Sequence, residues 1–330
     1  MTTNRDDFSC INLNGNVPDN LKNAVVAIGN FDGVHRGHQA VLAITKNIAE
    51  SEGLPAVVMT FEPHPRNYFA PDKPVFRLTS RSMKANILNA FGLDGNVIVD
   101  FNQELANTTA EDFVSHILVE RLSARHIVTG YNFHFGKARQ GTPDFLQEAG
   151  DRFEFGVTTV PSFSDEGGEP VSSSRVRAAL GEGNMIEAAS LLGYRWNISG
   201  MVCEGKKLGR TLGFPTANIV LPENTQLAHG IYAVRVHRED GSFHDGVASY
   251  GRRPTFDNGA ELFETFLFDF DDDLYGEILT ISLFGFLRSE EKFHSSKALI
   301  KQMNKDKADA RSLLSGVTPL SALDGMINFG

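Results

Sequence analysis

The sequence predicts an α/β chain in two parts: a parallel-sheet domain over residues 1–186 and an antiparallel β-barrel with a terminal helix over residues 187–330. Three observations carry this. The first half alternates short apolar runs, VVAI at 25–28 and AVVMTF at 56–61, with stretches of helical spacing, as strands buried between crossover helices do. Around 186–196 that alternation gives way to short strands separated by glycine-rich turns. At 330 residues the chain is also long for one core.

Residues 1–20 are polar and predict a short peripheral strand or loop. After the strand at 25–28, Gly29, Asn30, Asp32 and Gly33 supply turn chemistry, and Val41, Leu42, Ile44 and Ile48 follow a helical period from His38 onward. Strand, turn and helix start in this order place free amide N–H groups at the carboxyl end of a strand, where an open α/β sheet holds phosphate. His35 and His38 flank Gly37 there. Phosphate binding and a plain surface helix cap both fit the pair; zinc fits less, because no thiolate or carboxylate partners are nearby.

The second strand ends at FEPHPRNYF, where Pro63 and Pro65 predict a stiff extended loop carrying His64 at the same sheet edge. A helix is predicted at 80–91, a strand at 96–101, and a helix opened by Thr109 with Phe113, Ile117, Leu118 and Leu122 on its buried side. The strand at 126–129 leads into GYNFHFGKARQG, whose glycines and cations suit a nucleotide-facing loop or a solvated turn. A strand at 155–161 precedes SDEGGEP and then VSSSRVRAAL, where Arg175 and Arg177 sit early in a helix. Cations at a helix N-terminus are unfavourable unless an anion offsets them, either a phosphate or neighbours such as Glu166 and Glu169.

In the second half, strands are predicted at 198–204, 230–236, 243–249, 261–270 and 277–283, followed by a helix over 295–313 buried through Leu299, Ile300, Met303, Ala308 and Leu313. Phe286, Leu287 and Arg288 read as the lead into that helix. Gly205, Gly209 and Gly213, interleaved with Lys206, Lys207 and Arg210, form either a phosphate cradle or a plain basic loop. Thr216 and Asn218 share one face of an extended segment; their oxygens suit a hard cation, and such a pair is also common in turns. Glu264 sits between Phe263 and Thr265, where a carboxylate is costly unless it is paired, metal-bound or functional.

GNFDGVHRGH at 29–38 lacks the P-loop Lys-[Ser/Thr] and the dinucleotide GxGxxG. It resembles the GxFDGxHxGH signature of the HxGH nucleotidylyltransferases, and the whole chain from about 22 to 310 resembles the bacterial bifunctional riboflavin kinase/FMN adenylyltransferase (FAD synthetase) family. FEPHP, the glycine loop at 130–141 and VSSSRVR match the first module; GKKLGRTLGFPTAN, GIYAV, YGRRPTF, LYG and the element at 287–293 match the second. The resemblance implies a Rossmann-like nucleotidylyltransferase domain followed by a riboflavin kinase barrel.

On that resemblance, His35, His38 and Asn132 are catalytic in adenylyl transfer, with Gly29, Phe31, Asp32, Gly33, Ser173, Ser174 and Arg177 on the nucleotide and Phe61 and His64 at the flavin. Gly205, Lys206, Arg210 and Gly213 would cradle phosphate, and Thr216 and Asn218 would hold Mg²⁺. Glu264 would be the general base, and Arg288 would lie at the flavin-side or closing region. The implied substrates and products are ATP, riboflavin, FMN and FAD. Departures are mild: Val171 for Ile, Ser174 for Thr, and Cys203-Glu204 where relatives often carry His. The tail GVTPLSALDGMINFG lies outside the shared pattern.

A net charge of −10 disfavours non-specific nucleic-acid binding while permitting a small phosphate ligand in a local basic patch. Two distant cysteines argue against a disulfide scaffold and for a reducing compartment. No signal pattern opens the chain and no apolar run reaches membrane-spanning length, so a cytoplasmic protein is expected. Monomer and homo-oligomer both stay open. Two other readings compete: a nucleotidylyltransferase with a different phosphate acceptor, and a non-catalytic flavin- or nucleotide-binding regulator.

Overall fold

The computed structural model describes residues 8–13, 15–204, 214–252 and 261–330. Gly205, Lys206, Arg210 and Gly213, and most of GRRPTF, lie outside the described residues. The chain divides into two compact units, 1–173 and 174–330.

The first unit is a six-stranded sheet, every pairing parallel: β1 (Ser9–Asn12), β2 (Val25–Ile28), β3 (Ala56–Glu62), β4 (Gly95–Asp100), β5 (His126–Gly130) and β6 (Gly156–Val160), in the order β1-β4-β3-β2-β5-β6. β2 is buried along its whole length because helices cover both faces. Val26, Ile28, Val57, Met59, Val97 and Val99 pack toward Phe113, Val114 and Leu118 on one side. The alternate residues face α1 (Arg36–Glu52) and α3 (Arg81–Phe91), with the short α2 (Pro65–Phe69) between them in the chain. The peripheral N-terminal strand is β1, added in parallel to β4.

Local signals explain most helix limits. His35, Ser80 and Thr109 cap α1, α3 and α5 (Ala110–Asp112), which follows α4 (Gln103–Asn107). Gly53 and Gly92 close α1 and α3 in the left-handed conformation. α5 runs into a π-helical stretch, Phe113–Arg121, whose wider turn suits the spacing of Phe113, Leu118 and Leu122. Two sequence expectations change. Pro65 opens α2 at its first position, where its missing N–H costs nothing, so the segment after His64 is helical rather than extended. A further helix, α6 (Pro143–Phe153), begins with a Thr142 cap and Pro143, a start signal the sequence carries openly.

The second unit begins with α7 (Ser173–Gly181), whose first residue belongs to the first unit, and α8 (Met185–Leu192). Six strands follow: β7 (Asn197–Met201), β8 (Ala217–Val220), β9 (Gly230–His237), β10 (Phe243–Arg252), β11 (Glu261–Leu267) and β12 (Ile278–Ser289). They form an antiparallel sheet in the order β7-β12-β9-β10-β11-β8, curled until its two edges meet through a Cys203–Asn218 bridge. Gly200 permits that closure, since a Cβ there would collide with Ile219. β12 is longer than the sequence suggested: Phe286–Arg288 belong to the strand, which two bulges bend around the barrel.

α9 (Ser296–Leu314) covers the outer face, with Phe266, Leu287 and Leu313 packed around Ala233, Phe284, Ala310 and Leu314. Ala308 is exposed, contrary to the helical-wheel expectation; Asp306, Ala310 and Leu314 are the buried residues.

The tail folds as α10 (Ala322–Asn328) and docks on the barrel. Asp324, fully buried, accepts from the Arg195 backbone N–H at 2.8 Å and pairs with its guanidinium. Asn328 Nδ2 donates to the Arg195 carbonyl at 3.2 Å, and Ser282 Oγ donates to Asn328 Oδ1 at 2.5 Å. Replacing Asp324 with Ala would leave the Arg195 guanidinium without its buried counter-ion. Urea denaturation of D324A followed by Trp196 fluorescence should show a loss of about 3 kcal/mol or more in the second unit.

Candidate active site

In the first unit, β3 lies on one side of β2 and β5 on the other, so the strand order reverses between β2 and β5. The crevice at the carboxyl ends of these two strands is where open α/β sheets hold ligands. The turn after β2 carries Gly29 to His35, and the loop after β5 carries Asn132.

The β2–α1 turn is tightly wound. Phe31, Gly33 and Val34 all have positive φ, at 46°, 84° and 37°. For Phe31 and the β-branched Val34 this is strained, and burial offsets the strain: both side chains are almost wholly enclosed. Gly29 lies against the Phe31 ring, whose atoms stand 3.1 Å from where a Cβ would be. Asp32 Oδ1 accepts from the backbone N–H groups of Leu78 and Thr79 at 3.0 and 3.2 Å, and the Gly33 N–H donates to Thr79 Oγ1 at 3.2 Å.

The two histidines form one unit. His35 Nδ1 accepts from the His38 backbone N–H at 3.3 Å, and the rings stack with centroids 3.7 Å apart and planes inclined by 16°. Phe31 meets His38 edge-on at 5.2 Å. A side chain at Gly37 would press on the His35 ring, which fixes why the residue between the imidazoles is glycine. His38 Nδ1 is buried without a hydrogen-bond partner. Burial first, then the neighbouring His35 and Lys84, hold the His38 pKa well below the ordinary 6.5. His38 is therefore neutral near pH 7, with a ring N–H to donate rather than a positive charge.

Beneath this turn lies a charge cluster that sequence reasoning missed. Arg77 grips Glu62 with both guanidinium nitrogens at 2.6 and 2.9 Å, and its Nε stands 3.6 Å from Asp32. Lys84 Nζ donates to the Asn30 carbonyl at 2.8 Å and lies 3.8 Å from Glu62. No spacing rule marks Lys84, because its helix carries it inward from a position that reads as polar surface.

His64, at the end of β3, is buried and caps α2 through Nδ1, which accepts from Arg66 N–H at 3.2 Å. Phe61 is a core residue packed on Phe101 and Phe113. In the β5 loop, Asn132 is exposed, while Phe133 and Phe135 stack and the Phe135–Gly141 bridge closes the loop. Ser173 Oγ donates to the Asp32 carbonyl at 2.9 Å.

In the second unit, Ser174 is exposed and Arg177 partly buried in the opening turns of α7. Arg175 pairs with Glu187 at 2.8 Å, and Glu166, one of the two acidic neighbours expected for the arginines, pairs with Arg36 at 2.6 Å.

The barrel brings its candidates together by register. Glu264 on β11 lies directly opposite Asn218 on β8 and opposite Ser249 on β10. Ser249 faces Ile231 on β9, and Ile231 faces Arg288 on β12. Directly opposed residues project to the same face, so Asn218, Glu264, Ser249 and Arg288 form one row on the outer wall. Asn218 Oδ1 is buried with no hydrogen-bond partner, and Thr216, two residues earlier, is partly buried. Arg288 is engaged by Asp306 of α9 through two bonds of 2.9 and 2.7 Å, which tie the helix to the end of the row.

A strand-turn-helix at a sheet's switch point, carrying two stacked histidines, and a separate barrel with a carboxylate beside an amide oxygen suit a two-module phosphate-transferring enzyme. The comparisons narrow this. The FAD synthetase family model matches residues 17–175 and the riboflavin kinase family model matches 192–314. The bifunctional riboflavin kinase/FMN adenylyltransferase of Escherichia coli (strain K12) is 40% identical over 295 residues, covering 89% of this chain and 94% of that protein. That of Pseudomonas fluorescens is 41% identical over 293 residues, covering 88% and 93%. A crystal structure described as a macrolide-efflux protein from Streptococcus pneumoniae superposes with a TM-score of 0.79 at 32% identity, covering 92% of this chain and 98% of that one.

The chain belongs to the bacterial bifunctional riboflavin kinase/FMN adenylyltransferase family. It makes FMN from riboflavin and ATP, and FAD from FMN and ATP. The readings with another acceptor and as a non-catalytic binder give way to this one.

An NMR titration of the His38 ring should place its midpoint below 6.5. A midpoint at or above that value would mean that burial does not hold the ring neutral.

Proposed function

We propose that riboflavin phosphorylation is carried by the barrel row and adenylyl transfer by the turn after β2. The observation that carries the kinase half is the cross-strand pairing of Glu264 with Asn218. Glu264 takes the proton of the ribityl 5′-hydroxyl as its oxygen bonds to the γ-phosphorus of ATP and ADP leaves. The orphaned Asn218 oxygen fits a hard cation, and no cluster of His, Cys, Asp or Glu among the described residues offers a competing metal site. Asn218 Oδ1 and the Thr216 hydroxyl would hold Mg²⁺, which would neutralise charge on the phosphates. Arg288 acts at the end of the row, fixed by Asp306. Gly205, Lys206, Arg210 and Gly213 serve as the phosphate loop of this half.

In the other half, an FMN phosphate oxygen bonds to the α-phosphorus of ATP as the bond to the β-phosphate breaks and pyrophosphate leaves. The attacking phosphate monoester is already anionic near neutral pH, so this step calls for alignment and charge stabilisation rather than a base. His35 and His38 donate to phosphoryl oxygens, the amides around Gly29, Phe31, Asp32 and Gly33 line the turn, and Asn132 orients the nucleotide. Ser173, Ser174 and Arg177 hold ATP phosphates; Phe61 and His64 contribute to the flavin side.

We place the boundary between modules at 186/187, a position bracketed by the family matches ending at 175 and beginning at 192. A cytoplasmic location is supported by two free cysteines. An efflux role, which the streptococcal structure's description would suggest, finds no support: no described helix is long and apolar enough to cross a membrane.

Glu264→Gln tests the kinase assignment. Riboflavin phosphorylation should fall by about 10²-fold or more, while the same preparation still converts supplied FMN to FAD. Phosphorylation at the parent rate would remove Glu264 from the role of base.

A further inference from the structure

We propose that Lys84 is a positioning residue for adenylyl transfer, holding the β2–α1 turn in its working shape through the Asn30 carbonyl. The proposal rests on reading that turn as the nucleotide site.

Lys84 lies in the first turn of α3 with 3% of its side chain exposed. Burying an ammonium is expensive, and an apolar side chain of similar length would fill the space without that cost. Glu62 does not explain its presence. Both Glu62 oxygens are already taken by Arg77 at 2.6 and 2.9 Å, and Lys84 stands 3.8 Å away. Its close partner is the Asn30 carbonyl, at 2.8 Å.

Asn30 immediately precedes Phe31, which is left-handed and supports the His38 ring. A bond to the Asn30 carbonyl therefore fixes the peptide that aims Phe31, and through it the two stacked imidazoles. The link is short: one side chain, one peptide, one ring contact.

The charged groups around Lys84 come from four elements: Arg77 before α3, Glu62 on β3, Asp32 in the turn and His38 on α1. Burial, then Arg77, lowers the Lys84 pKa against the opposing pull of Glu62 and Asp32, bringing it down to about 8. Below that pH the ammonium makes a charge-assisted bond to Asn30. Above it the neutral amine makes a weaker one, and the turn loosens. Adenylyl transfer should therefore lose rate as pH rises through about 8.

The test uses the full chain, with riboflavin phosphorylation in each preparation as an internal control. K84M should lower kcat for FMN adenylylation on the order of tenfold to a hundredfold, with a smaller change in KM for ATP and an unchanged kinase rate. K84R, which keeps a permanently charged donor, should retain most of the rate and lack the alkaline decline of the parent. That profile remains decisive if K84M does not fold. Parent-like adenylylation by K84M, or an alkaline decline in K84R matching the parent, would overturn the proposal. H38A separates the two levels of inference: if it too leaves adenylylation intact, the turn is not the nucleotide site. If H38A abolishes transfer and K84M does not, only the role of Lys84 falls.

Discussion

The first unit depends on a small set of buried charges under a strained turn. Asp32 is nearly inaccessible, yet its carboxylate is satisfied by two backbone amides and lies near Arg77. That arrangement pins a turn with three left-handed residues between β2 and α1. Without it, Phe31 and Val34 would relax toward ordinary backbone angles, and the imidazoles would lose their common orientation. Buried ion pairs add little net stability but penalise alternatives strongly, because any rearrangement leaves a charge unpaired. A site that must align phosphates without a general base benefits from that kind of rigidity.

The second unit reaches a similar end by sheet geometry. In an antiparallel barrel, register decides which side chains share a face, and a slip of one residue would send Glu264 inward, among Tyr232, Tyr250 and Phe263. The bulges in β12, the close approach of Gly200 to Ile219 and the cover of α9 hold that register. The docked tail adds a second clamp, with Asp324 of α10 on Arg195 just before β7 and Asn328 on Ser282 of β12.

Much of the site was legible in residue types and spacing. The strand at 25–28, the cap at His35, the loop after β5 and the Thr-x-Asn pair emerge where local pattern places them. Three features were not. Lys84 reads as a surface position on an amphipathic helix, because nothing local reveals that α3 turns it under another turn 54 residues away. Arg175 pairs with Glu187, a residue on the next helix that local sequence does not single out, since helix packing selects ion pairs as much as sequence proximity does. The tail looked featureless because its determinants, Asp324 and Asn328, have partners over 40 residues distant.

The sequence by itself determined the two-module order, the alternation that builds a parallel sheet, and the motifs by which the chain resembles its family. These are local: apolar period, capping, turn residues and short contiguous signatures need no knowledge of distant contacts. Only the tertiary structure decided that Asn218, Glu264, Ser249 and Arg288 share one row, and that a buried lysine stands beneath the histidine turn. Those are matters of strand register and helix rotation, set by how whole elements pack, and the physical forces that settle them act between residues that the chain keeps far apart.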